Sequence, residues 1–169
     1  TPGILDSLAC RERERTAPRE GEVEIEVRAA GLNFMNVLSA MGLCPGYDRG
    51  TGPLGIECSG VVTRVGPNVT TIAAGDEVMG VAFDCLASHA VTDARLLAPK
   101  PPALPFEQAA AVPIAFMTAH YALNHLGRME RGERLLVHSA AGGVGLAAVQ
   151  LARAAGVEVL ATAGTTAKR

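Results

Sequence analysis

The sequence predicts a protein of the α/β plus β class, in which a compact β-domain is followed by the start of a doubly wound parallel sheet. Three observations support this prediction. Short β-rich pieces separated by turns fill residues 21–100, residues that favour helices dominate 105–127, and a strand, a glycine-rich break, a helix and a second strand follow over 134–162. Two parallel strands joined by a helix form the βαβ unit from which doubly wound sheets are built.

Composition and charge argue against several classes of function. The 169 residues are 49% hydrophobic and 19% charged, with a formal net charge of -2, and the basic residues form no dense patch. The sequence has neither an apolar run of the roughly 18 residues that a membrane span needs nor the basic-then-apolar order of a secretory leader. We therefore expect a cytoplasmic protein that acts on a small molecule, with no membrane or nucleic-acid partner.

The predicted β-domain begins with GEVEIEVRAAG at 21–31. Glutamates, among them Glu24, alternate there with valine and isoleucine, which predicts an antiparallel strand with one wet face. Further β-rich pieces follow, bounded by turn residues: CSGVVTRVG, PNVTTIAAGD, EVMGVAF and LASHAVTD. The four prolines of LLAPKPPALPF then favour an extended connector. We place the domain boundary after it, which separates residues 1–105 from 106–169.

The remainder of the chain predicts two helices and then a βαβ unit. PFEQAAAV and IAFMTAHYALNHLG are rich in helix formers, and Gly127 is placed to end the second helix. RLLVH, at 134–138, predicts a parallel strand covered on both faces, GVGLAAVQLARAA a helix that ends at Gly156, and VEVLAT a second strand. A doubly wound sheet normally has about six strands, so we expect the sequence to be truncated and the 169-residue segment to be inactive by itself.

The break between the two apolar runs is AAGGVG, from Ala140 to Gly145. It matches G-x-G-x-x-G at the second and third glycines and has alanine at the first. Bare backbone lets N–H groups approach a pyrophosphate, whose charge the helix dipole favours. Its position between a strand and a helix predicts a dinucleotide-binding loop made of Ala141, Gly142, Gly143, Val144 and Gly145. The alternative is a tight turn that serves only close packing of the helix on the sheet.

The end of the second strand bears on which dinucleotide is bound. NAD sites place Asp or Glu there to accept from the ribose 2′-OH. Here hydroxyls and cations follow instead: Thr162, Thr165, Lys168 and Arg169. Such groups suit a 2′-phosphate, which a carboxylate would repel. The sequence therefore favours NADPH over NADH. The alternative is that Lys168 and Arg169 only begin a solvated helix, with which Arg169 is equally compatible.

Five segments, in collinear order over nearly the whole chain, resemble one protein family. They are GLNFMNVLSAMGLCPG, GIECSGVVTRVG, GDEVMGVA, AAAVPIAFMTAHYAL and ERLLVHSAAGGVGLAAVQLARAAGVEVLATAGTTAKR. They resemble the medium-chain dehydrogenase/reductase superfamily, and within it the enoyl reductase domains of modular type I polyketide synthases and related fatty acid synthases. The resemblance implies a GroES-like β-domain followed by the start of a Rossmann domain. It also implies that NADPH reduces the α,β double bond of an enoyl thioester carried on the phosphopantetheine of an acyl carrier protein, with other synthase domains as partners.

The same resemblance implies roles for individual residues. Asn33 and Thr118 are expected at the nicotinamide end of the cofactor site. Many relatives carry tyrosine in the sequence G-x-Y-P-G as a candidate proton donor, and here GLCPG puts Cys44 at that place. Cys44 is therefore the candidate donor, although a thiol donates weakly, and Tyr47 is a substitute candidate.

Zinc-dependent members of the superfamily would carry Cys or His near position 33 and Gly-His-Glu at 55–57. This chain has Asn33 and Gly-Ile-Glu there, so we expect no metal, and we expect Glu57 to be a buried carboxylate with a partner. The four separated cysteines predict buried thiols. Two other functions stay open, namely a free-standing quinone or alkenal reductase and a non-catalytic truncated reductase that acts as a scaffold.

Overall fold

The computed structural model of the protein describes residues 1–44, 46 and 52–168. Tyr47 and Arg169, both named as candidate site residues above, lie outside the described residues. The sequence-based expectations for these two side chains therefore stay predictions.

Contacts between α-carbons divide the chain into two compact units, Thr1–Pro113 and Ile114–Arg169. The first unit is a β-domain and the second contains a βαβ unit. The predicted order of a β-domain followed by the start of a parallel sheet is thus confirmed. The domain limits of 1–105 and 106–169 stay a prediction.

Five strands form an antiparallel sheet in the first unit. They are Glu22–Ala30 (β1), Glu57–Val65 (β2), Glu77–Val81 (β3), His89–Asp93 (β4) and Leu97–Pro99 (β5). Their order in the sheet is β4-β1-β2-β3-β5. Alternate side chains of the strands, together with loop residues, pack into one apolar core of Val23, Ile25, Cys58, Val62, Val78, Ala82, Cys85, Ala90 and Ala94.

Two segments of this unit differ from the prediction. PNVTTIAAGD, at 67–76, is a loop and not a strand, because the backbone turns at Asn68 with φ 62° and at Gly75 with φ 95°. The proline-rich connector begins as strand β5, which pairs with β3 at the edge of the sheet. An edge strand tolerates proline because its outer N–H groups have no ladder partner to lose.

A helix that the sequence analysis missed, Phe34–Met41 (α1), follows β1. Asn33 begins this helix, since its side chain accepts from the Met35 N–H and its own N–H donates to the Asn36 side chain, each at 3.0 Å. This reciprocal pattern is a capping box. Gly42 ends the helix in the left-handed conformation with φ 70°. The capping residue Asn33 and the terminal Gly42 are both visible in the sequence. The helix was missed because it has only about two turns and lies between β-rich segments.

Glu24 is the exception to the predicted wet face of β1. Its side chain is 1% exposed. Arg64, its partner across the β1–β2 ladder, and Arg15, from the segment before the sheet, each contact both carboxylate oxygens, and Thr63 donates a further hydrogen bond. Alternation identifies the two faces of a strand but not what later covers them. The prediction of a wet Glu24 is wrong because two arginines cover it.

Acid should weaken this ion-paired cluster. Arg64 and Arg15 hold the pKa of Glu24 well below its usual range. A lowered folded-state pKa stabilises the fold fully above about pH 5 and progressively less as the pH falls below about 4. We expect Glu24→Gln to lower the urea unfolding midpoint at pH 7, and the difference from wild type to shrink at pH 3. A difference that is independent of pH would show that the carboxylate charge contributes nothing.

Three helical segments connect the sheet to the βαβ unit. The helix Phe106–Ala110 (α2) packs on β1 and β2 in the first unit. Pro113–His120 (α3), which begins at the last residue of the first unit, continues as a π-helical turn, Tyr121–Leu126, after which the Gly127 N–H donates to Ala122 O at 2.8 Å. The predicted helices and their end at Gly127 are confirmed, while the π-helical turn was not foreseen. No helix among the described residues has the length and apolar character needed to span a bilayer.

The second unit contains the predicted βαβ unit. Strands Arg134–Val137 (β6) and Glu158–Ala161 (β7) are parallel and are joined by helix Gly143–Ala154 (α4). Small side chains of α4 allow the helix to lie close to the strands. The buried residues of this core are Ala119, Val137, Ala140, Ala147 and Ala148.

One face of this two-stranded sheet is covered in the described chain. Leu135, Val137 and Val159 pack in the same core as α3 and α4. Leu136 and Leu160, which pair in register, are 55% and 49% exposed. Both helices pack with the side chains of one face, and the other face is uncovered in the described residues, as expected for two strands of a sheet that normally has about six.

Candidate functional site

The glycine break lies where the sequence predicts it, after β6 and at the start of α4. The backbone turns at Ser139, which has φ 53°, and the Gly142 N–H donates to Ser139 O at 2.9 Å. Gly142 is the N-cap of α4 and supplies no side-chain cap. The N–H groups of the first turn therefore lack an acceptor within the helix. Together with the helix dipole they favour an anion.

The glycines of this loop differ in what surrounds them. A Cβ added to Gly145 would lie 2.5 Å from Ser139 O and 2.7 Å from Ala140 Cα, so this glycine is required for packing of the helix against the turn. A Cβ on Gly143 would meet no protein atom within 4 Å. The open side of the loop, at Gly142 and Gly143, is exposed. Packing therefore explains Gly145, whereas the backbone at Gly143 is open to a ligand.

Thr162, directly after β7, is tied to the turn that follows β6. Its N–H donates to Val137 O and its carbonyl accepts from the Ala140 N–H, both at 3.0 Å. Its Oγ1 accepts from the Ser139 N–H at 3.3 Å and lies 3.2 Å from His138 Nδ1. The structure therefore brings the end of the second strand and the base of the glycine loop together at the carboxyl edge of the sheet.

Thr165 and Lys168 follow Thr162 along the chain. Both are exposed, and the Lys168 N–H donates to Thr165 O at 3.1 Å, which closes a 3₁₀ turn at Thr166–Lys168. Residues 162–168 include no Asp or Glu. A hydroxyl and a cation without a carboxylate form a local environment that suits an anion.

Thr118, on α3, lines an apolar cavity of 840 Å³ in the second unit. Tyr121 stacks on His125 beside it, with ring centroids 4.9 Å apart, on the π-helical turn. π-helical turns are frequent at functional sites. The sequence analysis did not single out this pair, although the four-residue spacing of two rings was available as a signal. The other cavity residues are Phe116, Met117, His120, Ala122 and Leu151.

Asn33 lies in the first unit at the start of α1. Its amide oxygen caps the helix, as described above, and its Nδ2 donates to Glu57 Oε1 at 3.3 Å. Glu57 is 4% exposed, so the interpretation of Glu57 as a buried carboxylate with a partner is confirmed. Asn33 is thus held in one orientation by bonds at both ends of its amide.

Cys44 follows the other end of α1, two residues after Gly42. Its side chain is 2% exposed and its Sγ is 3.2 Å from Met35 Sδ. Gly52 also contacts it, since a Cβ there would lie 2.7 Å from the Cys44 sulfur. Met35 lies between the two candidates, because its N–H donates to Asn33 Oδ1 and its sulfur contacts Cys44. A role for Cys44 requires its proton to leave a buried position.

The other cysteines give no metal site in the described chain. Cys58 and Cys85 are fully buried, whereas Cys10 is exposed. The expectation of four buried thiols is wrong at Cys10, which lies on the exposed segment before the sheet. The hydrogen bond to Cys85, together with burial, raises the pKa of Cys58, so this thiol stays protonated. No group of three or more His, Cys, Asp or Glu among the described residues is arranged to hold an ion, and the absence of a metal stays a prediction.

The chain is similar to several known proteins in sequence and in fold. Residues 19–101 match the alcohol dehydrogenase GroES-like domain. The chain is 53% identical over 164 residues to erythronolide synthase EryA2 of Saccharopolyspora erythraea, which is 96% of this chain and 4% of that protein. The CurK enoyl reductase structure matches with a TM-score of 0.92 and 42% identity, over 98% of this chain and 52% of its own. Escherichia coli quinone oxidoreductase complexed with NADPH matches with a TM-score of 0.87 and 36% identity, over 99% and 52%.

Residues 19–101 form a GroES-like domain of the alcohol dehydrogenase type, and the chain as a whole is similar to proteins of the medium-chain dehydrogenase/reductase superfamily. Within it, the chain is similar to enoyl reductases and to modular polyketide synthases, which confirms the resemblance found in the sequence. The same matches confirm the predicted fold, a GroES-like domain followed by the start of a Rossmann-type fold. The chain spans 4% of the synthase and about half of each solved relative.

Proposed function

We propose that the chain is part of an NADPH-dependent enoyl reductase that acts in polyketide or fatty acid assembly. The observation that carries this proposal is the glycine loop. It offers exposed backbone at Gly142 and Gly143 after a parallel strand, and Lys168 follows the next strand in a stretch, 162–168, that contains no Asp or Glu. Similarity to CurK enoyl reductase and to an NADPH-complexed quinone oxidoreductase supports it.

The residues at the strand ends fit a phosphorylated dinucleotide. The backbone of 141–145, which is open at Gly143, would hold the pyrophosphate at the start of α4. Thr165 and Lys168, both exposed, would hold the ribose 2′-phosphate. Asn33 and Thr118 are the residues proposed for the nicotinamide end.

The proposed reaction saturates a double bond. When bound, NADPH supplies a hydride to the β-carbon of the enoyl thioester, and the α-carbon then takes a proton. Charge that develops on the thioester oxygen must be stabilised by donors in the site. Cys44 and Tyr47 are the proposed sources of the proton. The substrate is proposed to arrive on the phosphopantetheine of an acyl carrier protein, with other synthase domains as partners.

The test uses the full-length protein with crotonyl thioester and a quinone as separate substrates. We expect NADPH binding and oxidation with the thioester. Oxidation with the quinone alone would favour the second candidate function, a quinone reductase, which the match to the Escherichia coli enzyme supports. Neither binding nor turnover would favour a scaffold and overturn the proposal.

Lys168 provides a test of cofactor preference. Lys168→Glu should weaken NADPH binding by about tenfold through loss of attraction to the 2′-phosphate and new repulsion, while NADH, which lacks that phosphate, should bind with little change. Arg153→Glu is the matched control, because it makes the same charge change at the other end of α4, about 15 Å from the loop. Equal weakening of NADPH and NADH by Lys168→Glu would refute the assignment.

A further inference from the structure

Thr162 makes two kinds of hydrogen bond with the turn after β6. Its backbone bonds to Val137 and Ala140 continue the parallel ladder, and any residue could make them. Its Oγ1 bonds are different because they need a hydroxyl. They reach the Ser139 N–H at 3.3 Å and His138 Nδ1 at 3.2 Å. We call the link from Thr162 Oγ1 to the Ser139 N–H the Thr162 clamp.

Ser139 has a backbone conformation that other contacts must stabilise. Its φ of 53° lies in the left-handed region, which is unfavourable for a residue with a Cβ. In this conformation its carbonyl accepts from the Gly142 N–H at 2.9 Å. The same carbonyl lies where a Cβ on Gly145 would come within 2.5 Å. The path of the backbone from Ser139 to the first turn of α4 is therefore set by this one left-handed residue.

We infer that Thr162 is a positioning residue for the dinucleotide. Its hydroxyl holds Ser139 in the left-handed conformation and thereby keeps the amides at the start of α4 directed at the pyrophosphate. This inference rests on the proposed function for its ligand. It assigns Thr162 a task other than direct contact with the 2′-phosphate. When His138 carries its proton on Nε2, the hydroxyl proton of Thr162 is directed to Nδ1, which leaves no donor for a phosphate.

Two substitutions at Thr162, each made in two backgrounds, test the clamp in the full-length protein. Thr162→Val keeps the shape and removes the hydroxyl, and Thr162→Ser keeps the hydroxyl. We expect Thr162→Val to raise the Kd for NADPH by about tenfold without lowering kcat at saturating NADPH, and Thr162→Ser to stay close to wild type. In a Ser139→Gly background the valine should have little effect, because glycine adopts positive φ without cost.

A second readout needs no cofactor. Amide hydrogen exchange of the peptide covering 139–145 should be faster in Thr162→Val than in wild type and unchanged in Thr162→Ser. Unchanged exchange in Thr162→Val overturns the clamp. The clamp is also overturned if Thr162→Val lowers NADPH affinity equally in the wild-type and Ser139→Gly backgrounds. Such a result would mean that Thr162 contacts the cofactor directly. Failure of wild type to bind NADPH would overturn the proposed function, and the exchange measurement would still decide the clamp.

Discussion

Gly145→Ala is expected to abolish detectable NADPH binding, with a loss in affinity of more than about a hundredfold. The added Cβ would lie 2.5 Å from Ser139 O, 2.7 Å from Ala140 Cα and 2.9 Å from Ala140 C. All three are backbone atoms, so no side-chain rotation relieves the contact. The start of α4 must move away from the turn, and the first-turn amides move with it. Isothermal titration of the full-length protein with NADPH measures the effect.

Gly143→Ala is the informative partner of that variant. Its Cβ would meet no protein atom within 4 Å, and alanine favours a helix more than glycine does, so the folded protein should be at least as stable as wild type. Affinity for NADPH should nevertheless fall, because the new methyl group occupies the open side of the loop.

The two glycines separate the two interpretations of the break. A cofactor loop requires that both variants bind poorly and that only Gly145→Ala destabilises the fold. A tight turn that serves packing alone requires that Gly143→Ala behave like wild type in every measurement. Normal NADPH affinity in Gly143→Ala would therefore eliminate the pyrophosphate site, whatever Gly145→Ala does.

The βαβ unit could be predicted from the sequence because its signals are local. An apolar run, small residues and a helical pattern follow one another within about 30 residues, and each element has its expected type in the structure. The β-domain was harder because its contacts join distant parts of the chain. Glu24 occupies a position that the alternating pattern of β1 predicts to be exposed. It is buried because Arg15 and Arg64 bind its carboxylate.

In the candidate site, too, local features could be predicted from the sequence and contacts between distant residues could not. The position of the glycine loop follows from sequence order, but which glycine is required for packing does not, since only the structure shows Ser139 O against Gly145. The left-handed Ser139 is also invisible in the sequence, because serine gives no signal for positive φ. The Thr162 clamp depends on this residue, and it joins strands separated by a whole helix. Contacts of this kind cannot be obtained from spacing along the chain.

Removal of the proton donor should lower kcat by about a hundredfold or more, the usual contribution of a positioned general acid. The two candidates are Cys44 and Tyr47, and the variants are Cys44→Ala and Tyr47→Phe. We expect one of them to lose turnover of crotonyl thioester while the Kd for NADPH stays unchanged, because hydride supply and proton supply are separate tasks. The solvent isotope effect on kcat in wild type should exceed one if protonation limits the rate.

The effect of Cys44→Ala is harder to interpret than that of Tyr47→Phe, because Cys44 is buried. Its thiol is 2% exposed and lies 3.2 Å from Met35 Sδ, so Cys44→Ala also leaves a small cavity, and a fall in activity could follow from loosened packing. Cys58→Ala is the matched control, since Cys58 is 0% exposed in the same unit and has no proposed part in the reaction. Loss of kcat in Cys44→Ala with normal kcat in Cys58→Ala assigns the proton to the thiol. Full activity in both Cys44→Ala and Tyr47→Phe would mean that the proton comes from neither side chain.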